Sequence, residues 1–104
     1  MTIKSVQQAV DDWVKQYREG YWPPHVQLAR LIEEVGELAR EINHRYGPKK
    51  KKINETEAEL ADELADIVFT VVAMANSMGI DLDKAFGRVM AKYYGRDQNR
   101  WEKK

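Results

Sequence analysis

The sequence predicts an all-α protein, an antiparallel four-helix bundle that assembles into a homo-oligomer. Four segments carry apolar residues at the three- and four-residue spacing of helices. Short stretches with glycine or proline separate these segments. No segment has the alternating pattern of a strand, because the β-branched residues cluster inside the helical periodicity. Helices with short connections favour an antiparallel bundle, and 104 residues suit a single domain over residues 1–104.

The first helix is predicted at about residues 5–19. Ser5 with Gln8 three positions later resembles a capping box. Gly20 is expected to end the helix, and Pro23-Pro24 prevents its immediate resumption. Its apolar stripe consists of Val6, Val10, Trp13 and Tyr17.

The second helix is predicted at about 24–45, with Gly47-Pro48 as its stop. Gly36 lowers helicity slightly and permits, without requiring, the close approach of another helix. Lys49 to Lys52 follow as four consecutive positive charges, either a solvated loop or a basic flap over a polyanionic ligand. The apolar seam of this helix consists of Leu28, Leu31, Val35, Leu38 and Ile42.

The third helix is predicted at about 55–78, with Asn54 and Glu57 as its capping pair. Its first half is amphipathic, whereas residues 68–75 are apolar nearly all round. Such a helix must be covered on several sides, which predicts a homo-oligomer, a dimer or a tetramer, with this helix near its centre. The fourth helix is predicted at about 82–94, capped by Asp81 and ended by Gly95.

Composition excludes several classes of partner. Lys plus Arg and Asp plus Glu number 17 each, so the net charge is zero and a nucleic-acid partner is not expected. There is no cysteine, which excludes disulfides and thiolate zinc sites and fits a cytoplasmic protein. No signal peptide is visible at the start of the sequence. The longest apolar run, Ile67 to Ala75, is far shorter than the roughly 20 residues that a bilayer requires, so no membrane partner is expected.

Two acidic segments, 33–38 and 62–67, share the order acid, acid, apolar, small, acid, apolar. At about 100° per residue, Glu34 and Glu63 lie about 100° from the centres of their apolar stripes. Glu37 and Asp66 lie about 160° away on the same side. If the two helices pack through their stripes, these four carboxylates converge, and such oxygen ligands favour Mg²⁺ or Mn²⁺ and a phosphate substrate. The alternative is that they are ordinary surface acids.

The arrangement Glu33-Glu34-x-x-Glu37, 25 residues, then Glu63-x-x-Asp66 resembles the motif of MazG-like nucleotide pyrophosphohydrolases, in the all-α NTP pyrophosphatase superfamily. The likeness extends to residues 28–39, 63–67 and 79–82 and to Lys92, and covers roughly residues 24–96. The resemblance implies Mg²⁺-dependent hydrolysis of NTPs or dNTPs to monophosphate and pyrophosphate. It also implies dimers or dimers of dimers, and a role in clearing non-standard or surplus nucleotides.

By matching position, the resemblance implies that the metal ligands are Glu34, Glu37, Glu63 and Asp66. Glu33 would be a further catalytic acid that orients or deprotonates the attacking water.

Substrate contacts are expected from four further residues. Lys92 and Arg96 lie where the family carries basic residues, although the segment from Arg96 onward resembles the family only loosely. Asn76 is a candidate for sugar or phosphate contact, and Trp22 for stacking on the base, whereas Trp13 on the helical stripe is better explained as core. For Lys92, Arg96 and Asn76 the alternative is an ordinary surface residue.

Two other functions fit parts of the sequence. A di-iron bundle uses Glu-x-x-His on two helices, and Glu41 with His44 supplies that spacing once. A non-catalytic helical oligomerisation module would also explain the apolar third helix. The preferred base or sugar, the number of metal ions and the choice between dimer and tetramer are not encoded in any recognisable pattern.

Overall fold

The structure, a computed structural model, describes residues 1–48 and 57–104. These residues form four helices and no strand, which confirms the predicted all-helical class. The helices are α1 Ile3–Val14, α2 Pro24–Tyr46, α3 Glu57–Ser77 and α4 Leu82–Gly95. The Lys49–Lys52 run and the predicted cap at Asn54 lie outside the described residues.

The N-terminus of α1 is capped by Thr2, so the predicted cap at Ser5 was wrong. Ser5 N donates to Thr2 Oγ1 at 3.0 Å, and Thr2 N donates to Ser5 Oγ at 2.9 Å. Ser5 therefore closes a capping box as its third helical residue instead of opening one. Gln8 takes no part in the cap and donates to Asp12 Oδ1 at 2.9 Å.

The C-terminus of α1 lies five residues before the predicted one. After Lys15 the backbone continues in tighter turns, with Tyr17 N donating to Val14 O at 3.1 Å and Gly20 N to Tyr17 O at 3.2 Å. Gly20 then has a φ of +65°, which favours glycine. The rings of Trp13 and Tyr17 nevertheless meet edge to face, with centroids 5.3 Å apart.

The ends of α2 and α4 and the C-terminus of α3 agree with the sequence to within one residue, while the predicted start of α3 lies outside the described residues. Asp81 caps α4 as predicted, since its Oδ1 accepts from Lys84 N at 3.2 Å. Between α3 and α4, Gly79 has a φ of +67° and Ile80 N donates to Ala75 O at 2.9 Å, as in a Schellman turn.

The helices do not all run antiparallel in one bundle. α3 packs on α2 and on α1, but α4 departs from α3 at a bend of 111° and packs on α1. Gln7 of α1 holds this bend: its Nε2 donates to Asn76 Oδ1 at 2.8 Å and to Ile80 O at 2.9 Å. Its Oε1 accepts from Leu82 N at 2.9 Å, at the first residue of α4.

The buried core is small, and among the described residues α3 packs mainly on α1 and α2. Val10, Val72 and Ala73 form its centre, with Val6, Val14, Tyr21 and Leu82 packed around it. The apolar stripes that the sequence marks for burial are instead largely exposed in the single chain. Exposed members include Ile32, Val35, Leu64, Val68, Phe86, Val89 and Tyr93.

Among the described residues, no single helix has the length and apolar character needed to cross a membrane. α3 and α4 satisfy such a criterion only as a pair, across the 111° bend.

Candidate active site

The five predicted acids lie on α2 and α3. Glu34 and Glu63 are half-buried, while Glu33, Glu37 and Asp66 are exposed. The equivalence of the two acidic segments therefore extends to burial. The stripe centres from which the angles of these acids are measured, Val35 and Leu64, are themselves exposed in the single chain.

Glu34 connects the two helices. Its Oε1 pairs with Arg30 Nε at 3.0 Å, one turn earlier on α2. Its Oε2 accepts from the buried hydroxyl of Thr70 on α3 at 3.3 Å, and the same Thr70 Oγ1 lies 3.1 Å from the carbonyl oxygen of Asp66.

Glu63 has a buried carboxylate oxygen, Oε2, with no hydrogen-bond partner in the described part of the chain. An unsatisfied buried oxygen of this kind costs about 1–3 kcal/mol, and more when it carries charge. Native proteins rarely retain such an atom without a function, and metal coordination is one such function.

The predicted convergence of four carboxylates is found only in part. Glu34 and Asp66 line one cavity, whereas Glu37 and Glu63 are not among its lining residues. Among the side chains that the structure describes, no three of His, Asp or Glu lie close enough together to hold a metal ion. Carboxylates at contact distance repel one another strongly, and Glu34 instead pairs with Arg30.

The cavity has a volume of about 530 Å³, and aromatic side chains form much of its wall. Glu34 and Asp66 contribute carboxylates, and Thr70 a hydroxyl, to the same cavity. Its aromatic lining residues are Trp13, Tyr17, Tyr21, Trp22 and Phe69. A cleft with flat apolar walls and adjacent carboxylates suits a ligand with a ring at one end and a metal-bound anion at the other.

Comparison with known proteins assigns the chain to a protein family. The sequence model of the MazG nucleotide pyrophosphohydrolase domain matches residues 23–101. The chain belongs to this family. The prediction of a nucleoside triphosphate pyrophosphohydrolase, which the resemblance of the paired acidic segments to the MazG motif implied, is thereby confirmed at the level of enzyme class.

Relatives of known sequence and structure agree with this membership. YpjD of Bacillus subtilis is 48% identical over 103 residues, which is 99% of this chain and 93% of YpjD. Its crystal structure superposes with a TM-score of 0.83 at 47% identity, covering 89% of this chain and 95% of that one. The crystal structure of the Bacillus-conserved MazG protein, a nucleotide pyrophosphohydrolase, gives a TM-score of 0.79 at 42% identity, covering 95% and 96% of the two chains.

Hydrogen bonds fix two residues of the cavity lining, Gln27 and Tyr21. Gln27 is 5% exposed, and its Nε2 donates to the carbonyl oxygen of Trp22 and to Ser77 Oγ. Tyr21 donates to Asp11 Oδ1 at 2.6 Å. Burial, followed by the hydrogen bond to Asp11, raises the pKa of Tyr21 to about 12. Hydrogen bonds from Lys15 and then Tyr21 lower the pKa of Asp11.

Three of the predicted substrate contacts lie outside the cavity lining. Asn76 binds within the protein: its Nδ2 donates to Gln7 O at 2.9 Å and to the Tyr21 hydroxyl at 3.1 Å. Arg96 forms a two-pronged pair with Asp97, Nε to Oδ1 at 3.0 Å and Nη2 to Oδ2 at 3.2 Å. Lys92 is exposed on α4.

Trp22 does line the cavity, as expected for a base contact, and so does Trp13, which the sequence had placed in the core. Trp13 is 53% exposed, so the prediction that it is a core residue was wrong.

Sequence reasoning did not single out Arg30, Gln27 or Thr70 as parts of this MazG-family site. Thr70 had a visible signal, because it is the polar residue that interrupts the apolar run of α3. Arg30 stands four residues before Glu34, the spacing of a helical ion pair. Gln27 carries no comparable signal, since its burial depends on the turn that precedes α2.

Proposed function

We propose that this protein is a Mg²⁺-dependent pyrophosphohydrolase that cleaves NTPs or dNTPs to the monophosphate and pyrophosphate, and so removes surplus or non-standard nucleotides in the cytoplasm. The observation that carries the proposal is the cavity in which aromatic walls adjoin Glu34 and Asp66. Membership of the MazG family supplies the reaction class. The non-catalytic oligomerisation module loses its support, because the apolar α3 is equally expected in an oligomeric enzyme.

We propose Glu34, Glu37, Glu63 and Asp66 as ligands for Mg²⁺, with Mn²⁺ as a substitute. The donor set fits, because all its atoms are hard carboxylate oxygens and one of them, Glu63 Oε2, is buried with no partner among the described residues. Bound there, the cation would offset the charge on the phosphates and acidify a bound water. Glu37 and Glu63 would have to turn towards the cavity that Glu34 and Asp66 already line.

Glu33 is proposed to orient or deprotonate the attacking water, as one of the exposed acids beside the metal ligands. Trp22 is proposed to stack on the base, because its ring forms part of the cavity wall. Lys92, Arg96 and Asn76 remain proposed substrate contacts. Lys92 and Arg96, which are exposed outside the cavity lining, would have to approach the phosphates by side-chain movement or from a second protomer.

The test is pyrophosphate release across the common and damaged triphosphates with Mg²⁺, for the wild type, Glu37→Ala and Asp66→Ala. Activity of the wild type and a loss of at least about 100-fold in both variants are expected, because each removes a metal-ligand charge. Asp62→Asn is the matched control, an exposed acid of the same segment that is not assigned to the metal. The proposal is overturned if the wild type releases no pyrophosphate or if both alanine variants retain activity.

We also propose that the protein works as a homodimer or homotetramer. Large apolar side chains on three helices are exposed in the single chain, as at an uncovered subunit interface. They include Val35, Leu64, Val68, Phe86 and Val89. Sedimentation equilibrium of the wild type and of Val68→Glu, on an exposed apolar face of α3, tests this. Monomeric wild type over the micromolar range would contradict the proposal.

A further inference from the structure

Positive charge is scarce in the described lining of the cavity, although a nucleoside triphosphate would bring several negative charges to it. Among the described lining residues, Glu19, Glu34 and Asp66 are acidic, and Arg30 is the one cation. The basic residues expected from the sequence, Lys92 and Arg96, do not line it. Among the residues that the structure describes, Arg30 is therefore the side-chain cation that a phosphate-bearing ligand seated here would meet.

The guanidinium of Arg30 is held from two sides. Its Nε pairs with Glu34 Oε1 at 3.0 Å, and its Cζ lies 5.8 Å from the centroid of the Trp22 ring. A guanidinium has five N–H donors in a planar fork, and in the described part of the chain Glu34 engages it at Nε. The donors on the two Nη atoms therefore remain to bind a ligand, and the side chain is 57% exposed.

We propose that Arg30 is a phosphate-binding residue of this site, oriented by Glu34 at Nε and by Trp22 at its face. The inference rests on the proposed function and identifies a residue that neither the sequence motif nor the family resemblance assigns. Arginine suits the role, because its planar fork matches the geometry of phosphate oxygens better than a lysine does. The contact to Trp22 also places the guanidinium between the proposed base-stacking ring and the proposed metal ligand.

The experiment compares binding of two ligands by calorimetry in Mg²⁺: α,β-methylene analogues of the common triphosphates, which resist cleavage at the relevant bond, and the parent nucleosides. Arg30→Gln is expected to weaken binding of the triphosphate analogue about tenfold or more, because a charge-assisted hydrogen bond is lost. Nucleoside binding is expected to change less than about twofold, since it requires no phosphate contact. Arg30→Lys should recover part of the loss, and Arg40→Gln, on the same helix, is the matched control.

Three results of the binding experiment would each overturn the proposal: no binding of any analogue by the wild type, equal affinity of wild type and Arg30→Gln for the analogue, or an equal loss for nucleoside and analogue. The last would mean that Arg30 acts through Trp22. Titration of Mg²⁺ without nucleotide tests whether Arg30 acts only by orienting Glu34. If Arg30→Gln loses enough Mg²⁺ affinity to explain all of its weaker analogue binding, the phosphate-binding role is also overturned. Analogue binding that depends on Arg30, combined with no pyrophosphate release, would support this inference and refute the proposed function.

Discussion

Thr70 Oγ1 on α3 lies 3.3 Å from Glu34 Oε2 on α2, so a buried hydroxyl joins the two acidic segments. The same oxygen lies 3.1 Å from the carbonyl of Asp66, one turn earlier on α3. Because a hydroxyl has one proton, it is shared between the Glu34 carboxylate and the Asp66 carbonyl. Thr70 is 7% exposed, so water does not readily replace it in this role.

Thr70→Val should therefore weaken the enzyme without unfolding it. Valine keeps the branched shape but cannot donate to Glu34, which loses one of the two partners that fix its carboxylate. We expect the Mg²⁺ concentration for half-maximal activity to rise several-fold, because the lost hydrogen bond contributes about 1 kcal/mol to positioning the Glu34 carboxylate. Pyrophosphate release against Mg²⁺ concentration measures it. Thr70→Ser, which retains the hydroxyl, should remain close to wild type, and a wild-type Mg²⁺ profile in Thr70→Val would refute the positioning role.

Glu63→Leu should separate stability from activity. The substitution removes a buried carboxylate oxygen that has no partner in the described residues, so the free energy of unfolding in EDTA should stay constant or rise by about 1 kcal/mol. Activity should fall at least about 100-fold, and stabilisation by Mg²⁺ should disappear because a ligand is lost. Urea denaturation at one protein concentration, with EDTA or Mg²⁺, measures both effects.

The matched control is Asp62→Leu at the neighbouring exposed acid. It should leave both activity and stabilisation by Mg²⁺ near wild-type values. If Glu63→Leu is instead strongly destabilised in EDTA, the Glu63 carboxylate contributes to the fold and its assignment as a metal ligand loses its structural support.

The helices could be predicted because their signals are local. Asp81 caps α4 as its sequence indicates, and the apolar periodicity located all four helices. The errors occurred at α1, where Thr2 competed with Ser5 as the cap and where the turn after Val14 ended the helix early. The 111° bend between α3 and α4 was also missed, since it depends on Gln7, some 70 residues away from Asn76 and Ile80 in sequence.

The sequence could predict only those site residues whose positions follow from the periodicity of a single helix. Helical angles placed Glu34 and Asp66 on matching flanks of their helices, and the structure brings both to one cavity. The wall formed by Tyr21 and Trp22 depends on the path of the chain between α1 and α2, which periodicity does not describe. For the same reason the periodicity assigned Trp13 to the core. It also gave no indication of a role for Arg30, because that role depends on the contact between Arg30 and Trp22.

The capping box of α1 gives a prediction about stability alone. Thr2→Ala removes the oxygen that accepts from Ser5 N at 3.0 Å, and the loss of such a cap costs about 1 kcal/mol. Urea denaturation should show this loss, with pyrophosphate release per folded molecule unchanged. Thr2→Ser should retain most of the wild-type stability. If the free energy of unfolding of Thr2→Ala equals that of the wild type, another residue caps the helix in place of Thr2.

Tyr21 should make stability depend on pH in the alkaline range. Its pKa in the folded chain is raised to about 12, first by burial and then by its hydrogen bond to Asp11, while an unfolded tyrosine titrates near about 10. Because the folded value is the higher one, the stabilising contribution is fully present below about pH 10 and is lost as the pH rises through about 12. The difference in free energy of unfolding between wild type and Tyr21→Phe should therefore be largest at pH 8 and smaller at pH 11.

Tyr46→Phe, an exposed tyrosine, controls for the loss of one phenol from the unfolded chain. A wild-type advantage over Tyr21→Phe that is equal at both pH values would show that the Tyr21 hydroxyl titrates alike in the folded and unfolded chain.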